Sequence, residues 1–329
     1  MNGTAGIKQA TGHVSFRDRW INVAAHFGIN RQKYIVDPGL YALGSPDQDS
    51  PVFVTANYSP SFRALRTALQ GIDGYILVLD TKGINVWCAA GKGTFGTDEL
   101  VLRIEQANLG EVVRHRRLIL PQLGAPGVAA HEVEERTGFG VAYGPVRAAD
   151  LRQYLATGKA TAEMRRVEFP LKQRLKIVPA ELINTVIFTI VLGLPLYFGG
   201  GLLAALAALA AVFAGNVLFP PLLPWLPTRN FSTKGFFLGS LIALPFVIMA
   251  GLGFHGEATW QRVGWALAYL LFMPPVTAFL SLNYTGGTTF TSWSGVKREI
   301  FAYVPVMAWM FAPGLLLMVA LSVAHAVGA

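Results

Sequence analysis

Two hydrophobic patterns divide the chain near Glu181. Before this point, short apolar runs alternate with segments in which apolar residues recur every three or four positions, as in amphipathic helices. After it, five apolar stretches of roughly 17–25 residues follow one another closely. The first pattern predicts strands alternating with helices. The second predicts helices long enough to cross a bilayer.

The first part has the pattern of an α/β domain. Strands are expected at residues 51–56, 75–79, 118–120 and 139–143, and helices at 62–69, 97–108, 128–136 and 148–156. We expect Ser59 and Thr97 to cap the first two helices, and Gly110 to end the second. The order βαβαβαβα predicts a mostly parallel, Rossmann-like sheet with helices on both faces. Ligands of such sheets bind at the carboxyl ends of the strands.

The second part is predicted to be an all-α transmembrane domain of five helices. The spans are expected near residues 182–198, 202–219, 236–254, 263–282 and 302–326, and none has a charged residue in its middle. Gly199, Gly200 and Gly201 would form a very tight first hairpin.

Composition and charge support this division. Charged residues number 38 among the first 180 and 8 among the last 149, and the whole chain is 53% hydrophobic. A disordered chain is excluded and a fully soluble enzyme is disfavoured. We therefore divide the chain into an N-terminal segment (1–35), an α/β domain (36–160), a basic juxtamembrane linker (161–180) and the transmembrane domain (181–329).

The net charge of +8 is interpreted as a topology signal. Most basic residues near the spans fall on one side: Arg165, Arg166, Lys172, Arg174, Lys176, Arg229, Lys234, Lys297 and Arg298. Arg262 alone falls on the other. With five spans, the positive-inside rule predicts a multi-pass protein of the cytoplasmic (inner) membrane, with its N-terminal domain in the cytoplasm and its C-terminus outside. The first ten residues lack the apolar core of a secretory signal, and no motif indicates nucleic-acid binding.

The cysteine count limits the metal chemistry. Cys88 is the single cysteine, so the chain cannot form an internal disulfide or hold an iron–sulfur cluster by four thiolates. Gly91, Gly93 and Gly96 match G-x-G-x-x-G, but they lie too far after the strand for a nicotinamide fingerprint.

The segment around Cys88 is unusual. It reads Asn85-Val86-Trp87-Cys88-Ala89-Ala90-Gly91-Lys92 and follows the strand that ends before Asp80, at the expected ligand edge. Its small and apolar residues could cover a large planar ligand, and the glycines with Lys92 suit a phosphate or an amide-rich tail. The alternative is a buried turn with Cys88 as a small hydrophobe.

This segment resembles the cap-helix motif N-(V/I)-W-C-A-(A/G)-G-K of the HgcA family, the membrane corrinoid proteins of microbial mercury methylation, at all eight positions. Other stretches also resemble that family, at residues 38–41, 121–125, 143–147, 229–232, 284–286 and 290–292. Its cobalamin domain is in turn similar to that of the corrinoid iron–sulfur protein of acetyl-CoA synthesis.

The resemblance implies a cobalamin-dependent methyltransferase. Cys88 would be the lower axial ligand to the cobalt of cobalamin or a related corrinoid, and a methyl group would pass from methyl-Co(III) to Hg(II) to form methylmercury. The implied corrin contacts are Asn85, Val86, Trp87, Cys88, Ala89, Ala90, Gly91, Lys92, Gly93 and Thr94. Asn85 and Trp87 would hold the cap helix, while Val86, Ala89 and Ala90 would allow close approach. Thr55 and Asn57, at a strand end, are weaker candidates, with helix capping as the alternative.

The resemblance also implies partners. A small ferredoxin-like protein with two 4Fe–4S clusters would supply electrons and Hg(II), since no cluster is expected on this chain. The expected methyl donor is methyltetrahydrofolate or its carrier protein. The polar loops 229–234 and 284–297 would dock the partner or close over the corrin, unless they simply connect helices.

Two other functions stay open. The chain could be a membrane-bound methyl carrier subunit of the acetyl-CoA-pathway type, although ordinary carriers of that class lack a thiolate ligand. It could also be a transporter or sensor with a soluble regulatory domain. The scarcity of ionisable residues within the spans disfavours transport.

Overall fold

The computed structural model describes residues 6–29, 34–253, 258–288 and 292–326. Phe254, at the end of the third predicted span, and Phe290 and Thr291, in the second polar loop, lie outside the described residues. The chain divides into two compact units. The first contains Met1–Ala25 and Ile29–Glu168, and the second contains His26–Gly28 and Phe169–Ala329.

A six-stranded mixed sheet forms the centre of the first unit. Its strands are β1 (Lys8–Ala10), β2 (Gly39–Leu43), β3 (Val52–Ala56), β4 (Gly74–Leu79), β5 (Arg117–Leu120) and β6 (Gly140–Tyr143). The spatial order is β1-β2-β4-β3-β5-β6. The four strands predicted from the sequence are mutually parallel, which confirms the Rossmann-like α/β fold. β1 and β2 were not predicted, and β2 runs antiparallel to β4.

Helices connect the strands and pack on the sheet. They are α1 (Phe16–His26), α2 (Ser59–Ala68), α3 (Val86–Lys92), α4 (Thr97–Gln106), α5 (Leu109–Val112), α6 (Ala130–Thr137), α7 (Leu151–Thr157) and α8 (Ala162–Arg165). The capping predictions are wrong by one residue. Tyr58 and Gly96 are the N-caps, and Ser59 and Thr97 are the first helical residues. Gly110 lies inside α5 and does not end the preceding helix.

The strand order defines where a ligand can reach the sheet. From β3 the chain passes through α2 to β4 on one side, and it later returns to β5 on the other side of β3. This reversal opens a crevice at the carboxyl end of β3, the usual ligand position in parallel sheets. The residues that follow β3 and β4, namely Asn57 and Asp80, therefore lie at this edge.

The second unit is helical. Its helices are α9 (Leu171–Leu175), α10 (Val178–Phe213), α11 (Phe219–Leu222), α12 (Phe231–Leu252), α13 (Thr259–Asn283) and α14 (Trp293–Ala326), of which α9 and α11 are short and the others are long and apolar. Among the described residues, four helical runs are long and apolar enough to cross a membrane. Five were predicted, and the count differs because the first two predicted spans belong to one run of 52 residues.

That run turns back on itself at Gly201, whose backbone is non-helical with φ 76° and ψ −175°. The side-chain amide of Asn216 donates a hydrogen bond to Thr185 Oγ1 at 2.8 Å. In a straight helix these residues would lie about 46 Å apart at about 1.5 Å per residue. The two predicted spans are therefore antiparallel halves of a helical hairpin, as the three consecutive glycines suggested.

Charged side chains in this unit satisfy helix ends. The ammonium group of Lys234 donates to the carbonyls of Leu223 and Leu226, both at 2.8 Å. The Glu299 carboxylate accepts the backbone N–H groups of Phe231 and Ser232 at the start of α12. Such pairing stabilises buried charge and complements the helix dipole. Lys234, assigned above to a loop, is thus buried in the first turn of α12.

Candidate functional site

The segment around Cys88 forms the short helix α3. Asn85 is its N-cap, and its Oδ1 accepts the backbone N–H of Cys88 at 2.9 Å. Gly93 ends the helix in the left-handed region at φ 82°, where glycine is favoured. The chain then folds back, and the backbone N–H groups of Thr94 and Phe95 donate hydrogen bonds to the Ala89 carbonyl. The sequence therefore specifies both ends of α3.

The two faces of α3 have different environments. Val86, Ala89 and Ala90 are buried in the core that lies against the sheet. Since successive helical residues are about 100° apart, Cys88 and Gly91 lie on the opposite side. Cys88 and Trp87 are partly exposed, and Lys92 is exposed. A Cβ added at Gly91 or Gly93 would meet nothing within 4 Å.

Three of the predicted corrin contacts face the sheet. The side chains of Val86, Ala89 and Ala90, which were expected to allow close approach of a corrin, point toward the sheet because the i, i+3, i+4 face is the apolar one. They fix how closely α3 packs on the sheet. The face beside Cys88 owes its open space to Gly91.

Loss of the Asn85 cap should loosen α3. Asn85→Ala removes the acceptor for the Cys88 N–H, and N-cap losses of this kind typically cost about 1 kcal/mol, or about fivefold in the local opening equilibrium. Hydrogen exchange of residues 86–92 should accelerate accordingly. Asn85→Asp retains an acceptor and is the matched control. Equal exchange in both variants would mean that the cap bond does not hold the helix.

A buried asparagine positions the loop that leads into α3. Asn57 is 1% exposed at the end of β3. Its Oδ1 accepts the backbone N–H groups of Thr81 and Gly83 at 3.1 and 3.0 Å, and Thr81 Oγ1 lies 2.8 Å away. Its Nδ2 donates to Asp80 Oδ1 at 3.0 Å. Asn57, at the end of β3, therefore anchors residues 80–83, which follow the adjacent strand β4.

These contacts change the expected roles of the two strand-end candidates. The Asn57 carboxamide oxygen accepts three hydrogen bonds from the loop, so this side chain positions the start of α3, and its contact with a corrin stays a prediction. Thr55 lies within β3 and is 4% exposed, so it does not reach the edge. Neither residue caps a helix. The sequence signal for this network is a polar residue directly after each of two adjacent strands, namely Asn57 after β3 and Asp80 after β4.

Asp80 extends this network. Its carboxylate accepts from Asn57 and from the backbone and side chain of Lys82. Partial burial by itself raises the pKa of Asp80, but the hydrogen bonds from Lys82 and Asn57 outweigh burial and hold the pKa below its usual value. Asp80 is therefore ionised at neutral pH and ties Lys82 to the start of the loop.

Two glycines that sequence reasoning missed let the loop after β5 pack against this region. A Cβ at Gly127 would lie 2.9 Å from Ala90 Cα, and one at Gly124 would lie 2.6 Å from the Phe95 ring. Side chains at these positions would push α3 and the following turn away from the sheet. In the same turn, Thr94 Oγ1 is buried without a hydrogen-bond partner in the part of the chain that the structure describes.

The donor set at this site is small. Within the described ranges, no three His, Cys, Asp or Glu side chains gather as a metal-binding group. Cys88 can thus offer one thiolate to a metal that brings its other ligands with it. The site therefore combines a soft sulfur donor with open space beside it and a capped helix that carries it.

The fold and site define a Rossmann-like domain with a thiol-bearing helix at its carboxyl edge. Residues 29–155 match the family described as CO dehydrogenase/acetyl-CoA synthase delta subunit. This part of the chain is therefore similar to that family, and the apolar helices follow it.

Curated relatives match the same part. The acetyl-CoA decarbonylase/synthase complex subunit gamma of Archaeoglobus fulgidus is 34% identical over 122 residues, which cover 36% of this chain and 26% of that protein. The corrinoid/iron-sulfur protein large subunit of Moorella thermoacetica is 30% identical over 118 residues, covering 35% and 26%. The matched region spans about a quarter of these relatives' length.

Proposed function

We propose that the chain binds a corrinoid against the Cys88 face of α3 and serves as a membrane-bound methyltransferase that methylates Hg(II). The observation that carries the proposal is the position of Cys88, opposite the packed face of a capped helix and beside the open Gly91. The match to the corrinoid-protein family supports the cofactor. The eight-residue resemblance to the HgcA motif supports the acceptor.

The residues present fit a corrinoid. Its macrocycle supplies the equatorial ligands, so one protein donor suffices, and Cys88 provides it. Thr94 Oγ1, buried without a partner in the described structure, could bond to one of the amide side chains at the corrin rim. Gly91 and Gly93 leave room for a broad planar group. Trp87 and Lys92 flank this face and complete the set of residues that would hold the cofactor.

Each residue has a distinct task. When bound, the corrinoid supplies a cobalt-held methyl group, and Hg(II) is the substrate that receives it. Cys88 would offer its sulfur to the metal, while Asn85 fixes the first turn that carries this sulfur. Asn57 holds the loop before α3, so that helix and sheet keep one spacing. The chain therefore preorganises the donor, as metal sites with accurate geometry require.

The runner-up function is a methyl carrier subunit of the acetyl-CoA-pathway type. The Archaeoglobus relative is named as a subunit of an acetyl-CoA decarbonylase/synthase complex, but the match covers only 26% of it, and its activity does not transfer with the domain. We place mercury methylation first because a carrier does not require a thiol at this helix. A transporter or sensor remains a third candidate, which the spans alone would support.

Partners and location are part of the proposal. A ferredoxin-like protein with two 4Fe–4S clusters would deliver electrons and Hg(II), and methyltetrahydrofolate or its carrier protein would deliver the methyl group. We also propose that the first unit faces the cytoplasm, because Lys and Arg concentrate on the side of the spans adjoining it.

Purified full-length protein in detergent tests this proposal. We expect about one cobalt per chain with a corrin absorbance spectrum. Given a chemical reductant of low potential and a methyl donor, it should convert Hg(II) to methylmercury. A corrin-containing protein that transfers methyl groups only to a nickel-containing acetyl-CoA synthase would favour the carrier function. A preparation without corrin would support the transporter or sensor.

A further inference from the structure

The N-terminal helix α1 exposes a row of large apolar side chains. Phe16 is 84% exposed, Trp20 64% and Val23 47%, and Phe27, in the turn directly after the helix, is 42% exposed. Their spacing of four, three and four residues places them on one side of α1. Within the described residues, no part of the chain covers this row.

The opposite side of α1 is firmly held. Ser15 and Asp18 exchange hydrogen bonds across the first turn, with Asp18 N donating to Ser15 Oγ and Ser15 N donating to the Asp18 carboxylate. The same carboxylate accepts from the buried Arg66 guanidinium at 2.6 Å. Ala25, also on this side, is buried. The outward direction of the apolar row is thus fixed by packing and ion pairing on the other face.

Basic residues border the row on both sides. At about 100° per residue, Arg17 lies about 100° to one side of Phe16 and Arg19 about 60° to the other. Both are exposed. Long basic side chains can keep their charge among lipid phosphates while their stems lie along apolar surface. Aromatic and aliphatic residues between flanking arginines are the pattern of a helix that lies in a membrane interface.

The end of α1 is attached to the membrane helices. The turn His26–Gly28 belongs to the second unit. A Cβ placed on Gly28 would lie 3.2 Å from Cβ of Ala180, the third residue of α10. The end of α1 is therefore joined to the unit that contains the candidate spans.

We propose that α1 lies flat in a bilayer surface, with Phe16, Trp20, Val23 and Phe27 inserted among the acyl chains. Arg17 and Arg19 bind the phosphates of anionic phospholipids. The occupant of this face is a lipid surface and not a partner protein, because arginines flank the apolar row and the same chain carries helices long and apolar enough to cross a membrane. The family match begins at residue 29, after α1, so this helix is an addition to the matched domain.

Spin labelling of the full-length chain tests this inference. Val23→Cys and Glu135→Cys are each made in a Cys88→Ser background and labelled with a nitroxide. Glu135, exposed on α6, is the aqueous control. In nanodiscs of phosphatidylethanolamine and phosphatidylglycerol, the label at 23 should collide several-fold more often with oxygen than with a water-soluble nickel complex. The label at 135 should have the reverse ratio.

Other outcomes would overturn the inference. A label at 23 as accessible to nickel as the one at 135 would mean that the row faces water and is available to bind a partner protein. Dipolar broadening at 23 that disappears on dilution with unlabelled chain would mean that a second copy covers it. A third label, Arg17→Cys, should lie at headgroup depth. Equal depth at 17 and 23 would exclude a flat orientation.

Discussion

Cys88→Ala is expected to abolish methylmercury formation while leaving the fold intact. Alanine keeps the helix and removes the single thiol of the chain. Outer-shell partners of metal ligands commonly contribute about 10–100-fold to activity, so loss of the ligand itself should cost at least about 100-fold. The yield of methylmercury per bound cobalt measures the effect, with the cobalt–sulfur charge-transfer absorbance as an independent readout.

Cys88→His is the companion variant. It retains a donor of different softness at the same position, so it should keep more bound corrinoid than Cys88→Ala and have a different absorbance spectrum. Unchanged methylation in the alanine variant would contradict the proposed role of the thiol. If both variants lose activity but keep the native spectrum, Cys88 does not ligate the metal, and its role lies elsewhere in the reaction.

Asn57→Ala should destabilise the first unit and release α3 from its position. The substitution leaves the buried N–H groups of Thr81 and Gly83 without their acceptor. Each such loss costs about 1–3 kcal/mol, so a total of about 2–6 kcal/mol is expected. Thermal unfolding of the full-length protein should begin at a lower temperature, and amide exchange of residues 80–92 should accelerate most.

Thr55→Val is the matched control, because it changes a buried polar residue of the same strand that has no place in the loop network. It should unfold close to the unsubstituted protein. Equal destabilisation by both substitutions would assign the effect to the interior of β3 and not to the hydrogen bonds of Asn57. Bound corrinoid should fall in Asn57→Ala if the position of α3 governs cofactor binding.

Much of the fold follows from local patterns. The parallel strands β3, β4, β5 and β6 were located within two residues, because buried strands between glycine-bounded helices have a distinct hydrophobic period. The long apolar segments were likewise predictable from composition. β2 was missed although its sequence, Gly39–Leu43, is apolar, because its antiparallel pairing with β4 depends on contacts more than 30 residues away.

The candidate site divides in the same way. The eight-residue segment with its single cysteine, the N-cap Asn85 and the terminal Gly93 can be recognised locally, since caps act within one helical turn. The direction in which Cys88 faces could not, because it depends on which side of α3 is buried. The packing of Val86, Ala89 and Ala90 against the sheet could not be predicted for the same reason.

Hydrophobic period and segment length thus specify the helices and strands of this protein. Neighbouring residues set the backbone preference, and the hydrophobic pattern determines whether a segment faces water, the core or lipid. Three-dimensional packing assigns the partners. It directs Asn57 to a loop 24–26 residues away and brings Asn216 to Thr185 through the turn at Gly201. Such pairings arise only when strands align and helices pack, since a buried polar group takes whichever partner the assembled fold brings within bonding distance.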